Sequence, residues 1–398
     1  MKYASIVPLI GGETIAMEMA FEKRPEYILS YPAFASNDQH IIKHYNKEVP
    51  YHVLEGTDND KKYPSVDVVN TVCPCAGLSS LSPSANSESA MNDWMSTTAN
   101  YVLGKIQPKV FWGENAPRLA SKMGEPVVAK LREIGKQYGY TFSIYKTKSL
   151  LHGLSQVRDR TFYFFWKADR VPLFEYILRE HEKIEDTIRS VKRDPDDPMS
   201  NVLTNHRIPT DNPFYRYVLE VIEGGITHQE FSQKIEKTTN PLDYIEAHGI
   251  EYKEVARWME VRGYEKEAQK CIRMHDKLAR GGNIMRKNTE IPKDYIGAFV
   301  GHMPTSITHP DENRYLTIRE AMAIMKMPED FQLQGGIRNL NHICQNVPVT
   351  TAKDMADQIK RYLNNELELI ETDFLVQDNK TRTFDYNKSV VQLDQFMI

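Results

Sequence analysis

Cysteine, long apolar runs and an excess of charge of either sign are all scarce in this sequence. Only 4 cysteines occur in 398 residues, too few and too scattered for a disulfide framework, which predicts a reducing compartment. No run approaches the roughly 18 apolar residues of a membrane span, and the first residues lack a signal-peptide pattern. We therefore expect a cytoplasmic protein without membrane contact. The net charge of -4 limits any nucleic-acid-binding surface to a local patch.

The remaining composition is that of an ordinary globular protein, with 41% hydrophobic and 26% charged residues. A chain of this length is expected to form two domains. Up to residue 168, short apolar runs alternate with helical patterns, which predicts an α/β fold with a doubly wound, mainly parallel sheet. The predicted strands are 3–10, 27–31, 66–72, 109–112, 141–146 and 160–167, and the predicted helices are 13–22, 38–45, 92–106 and 127–138.

The pattern changes near Ala168. Residues 169–309 are rich in charge, with helices predicted at 242–248, 251–261 and 264–279. Helical patterns return at 317–327 and 350–363, and the polar segment beyond Glu371 is predicted to be peripheral. The prediction is therefore one domain formed by 1–168 and 310–398, into which 169–309 is inserted as a second domain.

Basic residues cluster in one part of the second domain. Between residues 273 and 287 the charged residues are Arg273, Asp276, Lys277, Arg280, Arg286 and Lys287. Gly281 and Gly282 interrupt the helical pattern, and a basic segment with a glycine break suits the approach of DNA phosphates. A solvated helix face would have the same composition, so these residues alone leave both interpretations open.

A cysteine follows one of the predicted buried strands. Residues 67–72 form a β-branched run, Pro74 interrupts it, and Cys75 stands where the strand ends. Open α/β sheets build their sites at the carboxyl ends of strands, so Cys75 is a candidate nucleophile. A small buried hydrophobe is the usual alternative for a lone cysteine, and the spacing favours neither.

Five short sequence blocks carry candidate chemistry. They are Pro74 and Cys75 with the Gly-Leu-Ser that ends at Ser79; Glu114 and Asn115 after a strand; Gln156, Arg158 and Arg160 after a His-Gly-Leu-Ser that begins at His152; Arg314 to Glu320, continuing to Phe331; and Gln345 to Val349. In this order they resemble the blocks of the DNA (cytosine-5)-methyltransferase family, with Ala116 where the family has valine. Each block is weak alone, and the order of all five makes the resemblance specific.

The resemblance implies a Rossmann-like methyltransferase fold with an inserted target-recognition domain. Cys75 would add to C6 of cytosine and make C5 nucleophilic. Glu114 would hold N3 and donate a proton there, while Arg160 and Arg158 would bind O2 and orient the cysteine and the acid. A base inside a duplex cannot reach these residues, so the cytosine would be flipped out of double-stranded DNA.

The resemblance also places residues beside the DNA. The Ser/Asn-rich segment after Cys75 would close over the flipped base. The predicted DNA contacts are Ser79, Ser80, Gln156, Arg273, Arg280, Arg286 and Lys287. Without the other blocks, Glu114 could begin a helix, and Arg158 and Arg160 could line a solvated strand. Cys73 and Cys75 have no second Cys/His pair at zinc-site spacing, so no metal is expected.

The donor-binding blocks depart from the family pattern. The family begins with an acid followed by Phe-x-Gly-x-Gly, whereas here Leu9 replaces the first glycine, Pro8 removes a backbone donor and the acid is missing. The second strand ends without the acid that holds ribose hydroxyls, and Asp38 is the first acid after it. Residues still expected to line a pocket for S-adenosylmethionine are Gly11, Gly12, Asp58, Pro74, Asn346 and Val347.

Three functions are compatible with this pattern. The first is C5 methylation of cytosine in DNA from S-adenosylmethionine. The second uses the same Cys75 adduct with another one-carbon donor, such as methylenetetrahydrofolate, and makes 5-hydroxymethylcytosine. The third is a non-catalytic relative that only binds DNA. Retention of Cys75, Glu114, Arg158 and Arg160 favours an enzyme, and we predict the first function, for a monomer in a bacterial or phage-infected cell.

Overall fold

The computed structural model describes residues 1–55, 63–74, 77–78, 86–204, 207–284, 289–301 and 303–386. The chain divides into two compact units. The first comprises Met1–His181, Met325–Gln334 and Asn346–Ile398, and the second comprises Glu182–Ile324 and Gly335–Gln345. These bounds differ from the predicted boundaries at 168 and 310, and the recognition role of the inserted part stays a prediction. Six predicted site residues lie outside the described residues: Cys75, Asp58, Ser79, Ser80, Arg286 and Lys287.

A mixed, mainly parallel sheet forms the centre of the first unit. The described strands are β1 (Tyr3–Ile6), β2 (Ile28–Ser30), β3 (Tyr51–Val53), β4 (Val68–Thr71), β5 (Val110–Asn115), β6 (Thr141–Lys148), β7 (Asp159–Trp166), β8 (Val171–Pro172), β9 (Leu369–Ile370), β10 (Phe374–Asp378) and β11 (Thr383–Tyr386). The sheet order is β11-β10-β6-β7-β5-β4-β1-β2-β3, while β8 and β9 form a separate ribbon. Among the described strands of this sheet, β7 and β11 run antiparallel to their neighbours. The predicted α/β fold is confirmed.

The central strands read as apolar runs because helices cover the sheet. Every residue of β1, β4 and β5 is buried, as expected for parallel strands packed on both faces. The helices of this unit are α1 (Gly12–Phe21), α2 (Gln39–His44), α3 (Ala90–Tyr101, followed by a π-helical turn), α4 (Glu125–Gln137) and, after α5 to α12 of the second unit, α13 (Val349–Leu363). Their existence was predicted, with bounds that differ by a few residues.

The chain beyond Glu371 was predicted to be peripheral, and this prediction is wrong for β10. Strand β10 pairs in parallel with β6 inside the sheet, and Phe374, Leu375 and Val376 are buried. The segment is polar as a whole, and a five-residue strand has too few apolar positions to stand out from its polar neighbours. Strand β3 was also missed, since its three residues are only half-buried.

The second unit is mainly helical among its described residues. Its helices are α5 (Ile184–Arg189), α6 (Pro213–Tyr217), α7 (His228–Lys234), α8 (Pro241–Ala247), α9 (Tyr252–Val261), α10 (Glu265–Ala279), α11 (Ile318–Ile324) and α12 (Leu340–Gln345). An apolar core joins α6 to α10, where Val255, Met259 and Cys271 are buried. Helices α9 and α10 each bury one apolar stripe, which is why their sequence periodicity predicted them.

The described residues contain neither a membrane-spanning helix nor a metal-binding cluster. No helix there has both the length and the apolar character needed to cross a membrane. No group of three or more His, Cys, Asp or Glu side chains in the same residues is arranged to hold a metal ion.

Candidate active site

Glu114 lies at the carboxyl end of β5, in the middle of the sheet. Its strand pairs with β4 on one side and with β7 on the other, where Glu114 is opposite Phe162. The side chain is 2% exposed. Burial raises the pKa of Glu114, and the positive charges of Arg160 and then Arg158 oppose this rise. A buried carboxyl group with a raised pKa can hold and donate a proton near neutral pH.

Arg160 meets Glu114 across the two strands. Its Nε lies 3.1 Å from Glu114 Oε2, an ion-pair distance. The pair lacks hydrogen-bond alignment, so neither atom has a hydrogen-bond partner among the described residues. Buried polar atoms are almost always satisfied, and two that are not indicate a place for a ligand. We call Glu114 and Arg160 the target end.

Arg158, the other arginine of this block, also contacts a second segment of the first unit. Its Nη2 donates to the backbone carbonyl of Asn346 at 3.2 Å, and the side chain is 1% exposed. Among the described residues, the two arginines of the Gln-x-Arg-x-Arg block thus have different contacts, and the role of Arg158 at O2 stays a prediction. Arg160 contacts the acid, and Arg158 fixes the segment that precedes α13.

Asn346, in the segment before α13, forms a hydrogen bond with the first residue of α1. Its Oδ1 accepts from the Gly12 amide at 3.0 Å, and its Nδ2 donates to Met327 Sδ at 3.1 Å. A Cβ on Gly12 would lie 2.4 Å from the Asn346 amide and 2.6 Å from the carbonyl oxygen of Val347. Gly12, Asn346 and Val347, three of the predicted donor-binding residues, are thus brought together. At Gly12, however, the glycine is required by packing within the protein.

The turn between β1 and α1 has an unusual backbone. Val7 and Leu9 have φ of 51° and 52°, a left-handed conformation that costs non-glycine residues of the order of 1–2 kcal/mol each. Gly11, with φ 102°, packs so closely on Ile41 that a Cβ would lie 2.5 Å from the Ile41 side chain. The chain thus keeps left-handed residues in this turn where the family uses glycine.

Asp38 provides an acid near the end of β2. It precedes α2, is fully buried, and accepts a hydrogen bond from the Tyr51 hydroxyl at 3.0 Å. Its other oxygen has no hydrogen-bond partner among the described residues, and neither have the hydroxyls of Ser30 and Tyr31. Burial raises the pKa of Asp38 to about 7, against the hydrogen bond that it accepts from Tyr51. We call Gly12, Asp38 and Asn346 the donor end.

Gln156, a predicted DNA contact, is fully buried. Its Nε2 donates to Met325 Sδ at 3.2 Å, and its contact with DNA stays a prediction. His152, earlier in the same block, is also structural. It lies 2.7 Å from Asp354 Oδ2 and 2.7 Å from Thr147 Oγ1, which ties the loop between β6 and β7 to α13. The half-buried Pro74 precedes the undescribed Cys75.

The remaining predicted residues lie in the second unit. Arg273 and Arg280 are exposed, and with Lys277 they are spaced to lie on one face at the end of α10. Arg314 and Glu320 of the fourth sequence block form a buried ion pair at 2.7 Å. That pair stabilises the beginning of α11 rather than offering a reactive group.

Sequence analysis missed Glu13 and treated Asp38 only as a poorly placed acid. Glu13, in the first turn of α1, is fully buried, and its Oε1 has no hydrogen-bond partner among the described residues. The signal that could have found Glu13 is its position next to Gly11-Gly12 in a helix whose other early residues are apolar or small. That signal marks the position of Glu13, whereas its burial depends on residues that are distant in sequence.

The mixed, mainly parallel sheet and its flanking helices form an α/β Rossmann-like fold. A sequence model of the C-5 cytosine-specific DNA methylase family matches residues 1–361. The chain belongs to this family and is therefore a transferase whose substrate is cytosine in DNA. No curated protein matches the chain.

Solved structures share the fold at low identity. A DNA modification methyltransferase encoded within an E. coli prophage is 15% identical, with a TM-score of 0.55, over 92% of this chain and 99% of its own. The Entamoeba histolytica methyltransferase EhMeth is 12% identical, with a TM-score of 0.53, over 91% and 98%. At these identities the likeness extends to the fold alone.

Proposed function

We propose that this protein methylates C5 of cytosine in double-stranded DNA through a covalent adduct between Cys75 and C6 of a flipped-out base. The observation that carries the proposal is the target end, where the buried Glu114 carboxyl lies 3.1 Å from Arg160 and both groups have unsatisfied atoms. Cys75 follows β4, the strand next to the one that carries Glu114. Under this proposal, three short segments supply the thiol of Cys75, the acid of Glu114 and the permanent cation of Arg160 to one active site.

Each group has a defined part in the addition. When the Cys75 sulfur bonds to C6, negative charge develops on N3 and O2 of the ring. Glu114, whose pKa is raised by burial, donates its proton to N3, and the Arg160 guanidinium stabilises charge at O2. After C5 has taken the methyl group, a base removes the C5 hydrogen, the C6–S bond breaks and the thiolate is regenerated.

The donor end supports S-adenosylmethionine, the donor that this family typically uses. Asp38 would accept hydrogen bonds from ribose hydroxyls, the task of the acid that the second strand lacks. Gly11, Gly12, Asn346 and Val347 would hold the remainder from the other side, with Pro74 and Asp58 as further predicted contacts. When bound, the donor supplies an electrophilic methyl group next to C5.

A different one-carbon donor is the second candidate, favoured by the shape of the same region. Side chains at Val7 and Leu9 replace the open glycine turn, and Asn346 fills the space beside Gly12. A folate-type donor such as methylenetetrahydrofolate would give 5-hydroxymethylcytosine with the same Cys75 adduct. The target end would act in the same way with either donor, because it activates C5 for any suitable electrophile.

The second unit is proposed to be the target-recognition domain. The basic face of Arg273, Lys277 and Arg280 would contact phosphates, together with Arg286 and Lys287. Ser79 and Ser80 would contact the DNA around the flipped base. We propose that the protein acts as a monomer in the cytoplasm of a bacterial or phage-infected cell.

Mass analysis of nucleosides tests the proposal directly. DNA from cells that express the protein should contain 5-methylcytosine, and DNA from cells that express Cys75→Ala should not. A 5-hydroxymethylcytosine product would instead establish the second donor class. Unmodified DNA with every candidate donor supplied would leave only a non-catalytic DNA-binding protein. Binding of S-adenosylhomocysteine at micromolar concentration, measured by calorimetry, would separately support the first donor.

A further inference from the structure

Glu13 is a fully buried acid to which the proposed chemistry gives no task. It is the second residue of α1, and its Oε1 has no hydrogen-bond partner among the described residues. Leaving a carboxyl oxygen unsatisfied in the interior is costly, so such a group is rarely kept for packing alone. Glutamine or leucine would fill similar space at lower cost.

The other carboxyl oxygen of Glu13 connects it to the centre of the sheet. Asn70 Nδ2, on β4, donates to Glu13 Oε2 at 3.5 Å, a long hydrogen bond. Asn70 Oδ1 accepts from the Ser5 hydroxyl at 2.7 Å, and the Ser5 hydroxyl accepts from Thr14 at 2.9 Å. This buried network fixes the amide of Asn70 and thereby the direction in which the Glu13 carboxyl points.

Strand register brings Glu114 close to this network. Asn70 of β4 pairs with Trp112 of β5, and Thr71 pairs with Gly113, so Glu114 is the next residue along β5. Both acids are buried at this level of the sheet. Glu13 and Glu114 are therefore presented from α1 and β5 to the same buried end of the central strands.

Other titratable groups influence Glu13 electrostatically. Cys73 follows β4, and Tyr163 lies on β7 opposite Gly113; both are buried in the apolar core of the first unit, and each interacts with Glu13 through its charge. Burial and then the charge of Glu114 raise the pKa of Glu13 well above its usual value, while Asn70 opposes the rise. Arg160 and Arg158 act on the Glu114 side and favour its ionised form. Of the two acids, Glu114 therefore ionises first and Glu13 keeps its proton.

We propose that Glu13 is a positioning residue that controls the protonation of Glu114, so that the two carboxyl groups share one proton over the working pH range. This inference rests on the proposed function of Glu114 as the acid at N3. Two buried carboxyl groups that interact titrate as a pair, and the second proton is lost only at much higher pH than the first. Between the two ionisations, most molecules carry the remaining proton on Glu13, and a constant smaller fraction carries it on Glu114.

The proton balance of the reaction is unchanged by Glu13. Glu114 gives its proton to N3 as the Cys75 sulfur bonds to C6, and N3 returns a proton to Glu114 when that bond breaks. Glu13 changes the pH dependence of the protonated fraction of Glu114. With Glu13 present, the protonated fraction of Glu114 stays level after the first ionisation of the pair. With a neutral residue in its place, that fraction falls about tenfold per pH unit above the pKa of Glu114.

Exchange of the C5 hydrogen gives a readout that needs no donor. Addition of Cys75 makes C5 basic enough to take a solvent proton, and elimination then releases the original hydrogen. We would measure tritium release from DNA that contains [5-³H]cytosine, as a function of pH, for the wild type, Glu13→Gln and Glu13→Asp. The ratio of the wild-type rate to the Glu13→Gln rate should rise with pH, and Glu13→Asp should restore part of the difference.

The outcomes separate the two levels of the proposal. Parallel pH profiles for the wild type and Glu13→Gln would overturn the role of Glu13 while leaving the Cys75 chemistry intact. No release above Cys75→Ala by the wild type would overturn the proposed function, and this inference with it. If Glu13→Gln does not fold, the pKa of Glu13 is measured by carbon-13 NMR in the wild type and in Glu114→Gln. An unchanged pKa in Glu114→Gln would show that the two acids do not interact.

Discussion

The target end and the donor end of the first unit are built in different ways. Glu114 and Arg160 come from β5 and β7, adjacent strands whose hydrogen-bonded register sets the distance between the two side chains. Gly12, Asp38 and Asn346 come from a turn, a helix start and a segment that enters the unit more than three hundred residues after the turn. Where two adjacent strands carry the reactive side chains, the strand register fixes their spacing, so a short sequence block identifies them. Where loops carry the binding residues, an acid at another sequence position can occupy the same place.

Arg158 relates the two ends through its place in the sequence and its hydrogen bond. It belongs to the same sequence block as Arg160, yet its hydrogen bond goes to the Asn346 carbonyl of the donor end. The difference between the ends can therefore be tested by substitutions that affect one and spare the other.

The largest effect is expected for Glu114→Gln. It removes the proton donor at N3 and should lower the rate of modification by roughly 10²–10⁴-fold. Binding of S-adenosylhomocysteine should be unchanged, because Glu114 belongs to the target end. Single-turnover rates and calorimetry measure the two quantities. Glu175→Gln, at an exposed acid that pairs with Arg361, is the control, and full activity of Glu114→Gln would remove Glu114 from the chemistry.

A matched pair of arginine substitutions should divide the two ends. Arg160→Lys should reduce the single-turnover rate at saturating donor by roughly tenfold or more, because lysine lacks the fork-shaped donor. Arg158→Lys should mainly weaken donor binding, through loss of the hydrogen bond to Asn346. Rates at several donor concentrations separate the effects. If both variants lose rate equally and keep donor affinity, Arg158 belongs to the target end.

Asp38→Asn should weaken the donor end alone. Above about pH 8, where Asp38 is ionised, replacing the carboxylate removes hydrogen bonds to a charged group, which corresponds to roughly a tenfold or larger loss of affinity for S-adenosylhomocysteine. The rate at saturating donor should remain close to that of the wild type. Asp67→Asn, which changes an acid paired with Lys109, should leave the affinity unchanged. An Asp38→Asn variant with wild-type affinity would show that Asp38 does not contact the donor.

Asp38 should also affect stability, with a sign set by its raised pKa. The folded protein holds the Asp38 proton up to about pH 7, whereas the unfolded chain releases it near pH 3.8. The folded state therefore binds more protons between these values, and wild-type stability falls as the pH rises through this window. Relative to the wild type, Asp38→Asn should gain of the order of 2–4 kcal/mol between about pH 4 and pH 8.

Urea unfolding at several pH values measures this difference. Asp378→Asn gives the opposite case, because Lys146 holds the pKa of Asp378 low despite partial burial. Its stability relative to the wild type should be lowest near neutral pH and should recover on acidification. A pH-independent difference for Asp38→Asn would mean that Asp38 ionises in the folded protein as it does in the unfolded chain.

Local sequence patterns were enough to predict the alternation of strands and helices, the family and the positions of Glu114 and Arg160. These follow from local patterns, because apolar runs mark buried parallel strands and a short block fixes which residue ends each strand. Periodicity likewise predicted α9, α10 and α13, whose apolar stripes are continuous along the sequence.

The burial of Glu13 and Asp38 and the pairing of β10 became visible in the folded protein alone. Whether an acid is buried depends on neighbours that are distant in sequence, such as Asn70 for Glu13 and Tyr51 for Asp38. Strand β10 becomes a strand because β6 offers it a hydrogen-bonding edge. A local pattern cannot express these relations, since burial and strand pairing are properties of the assembled core.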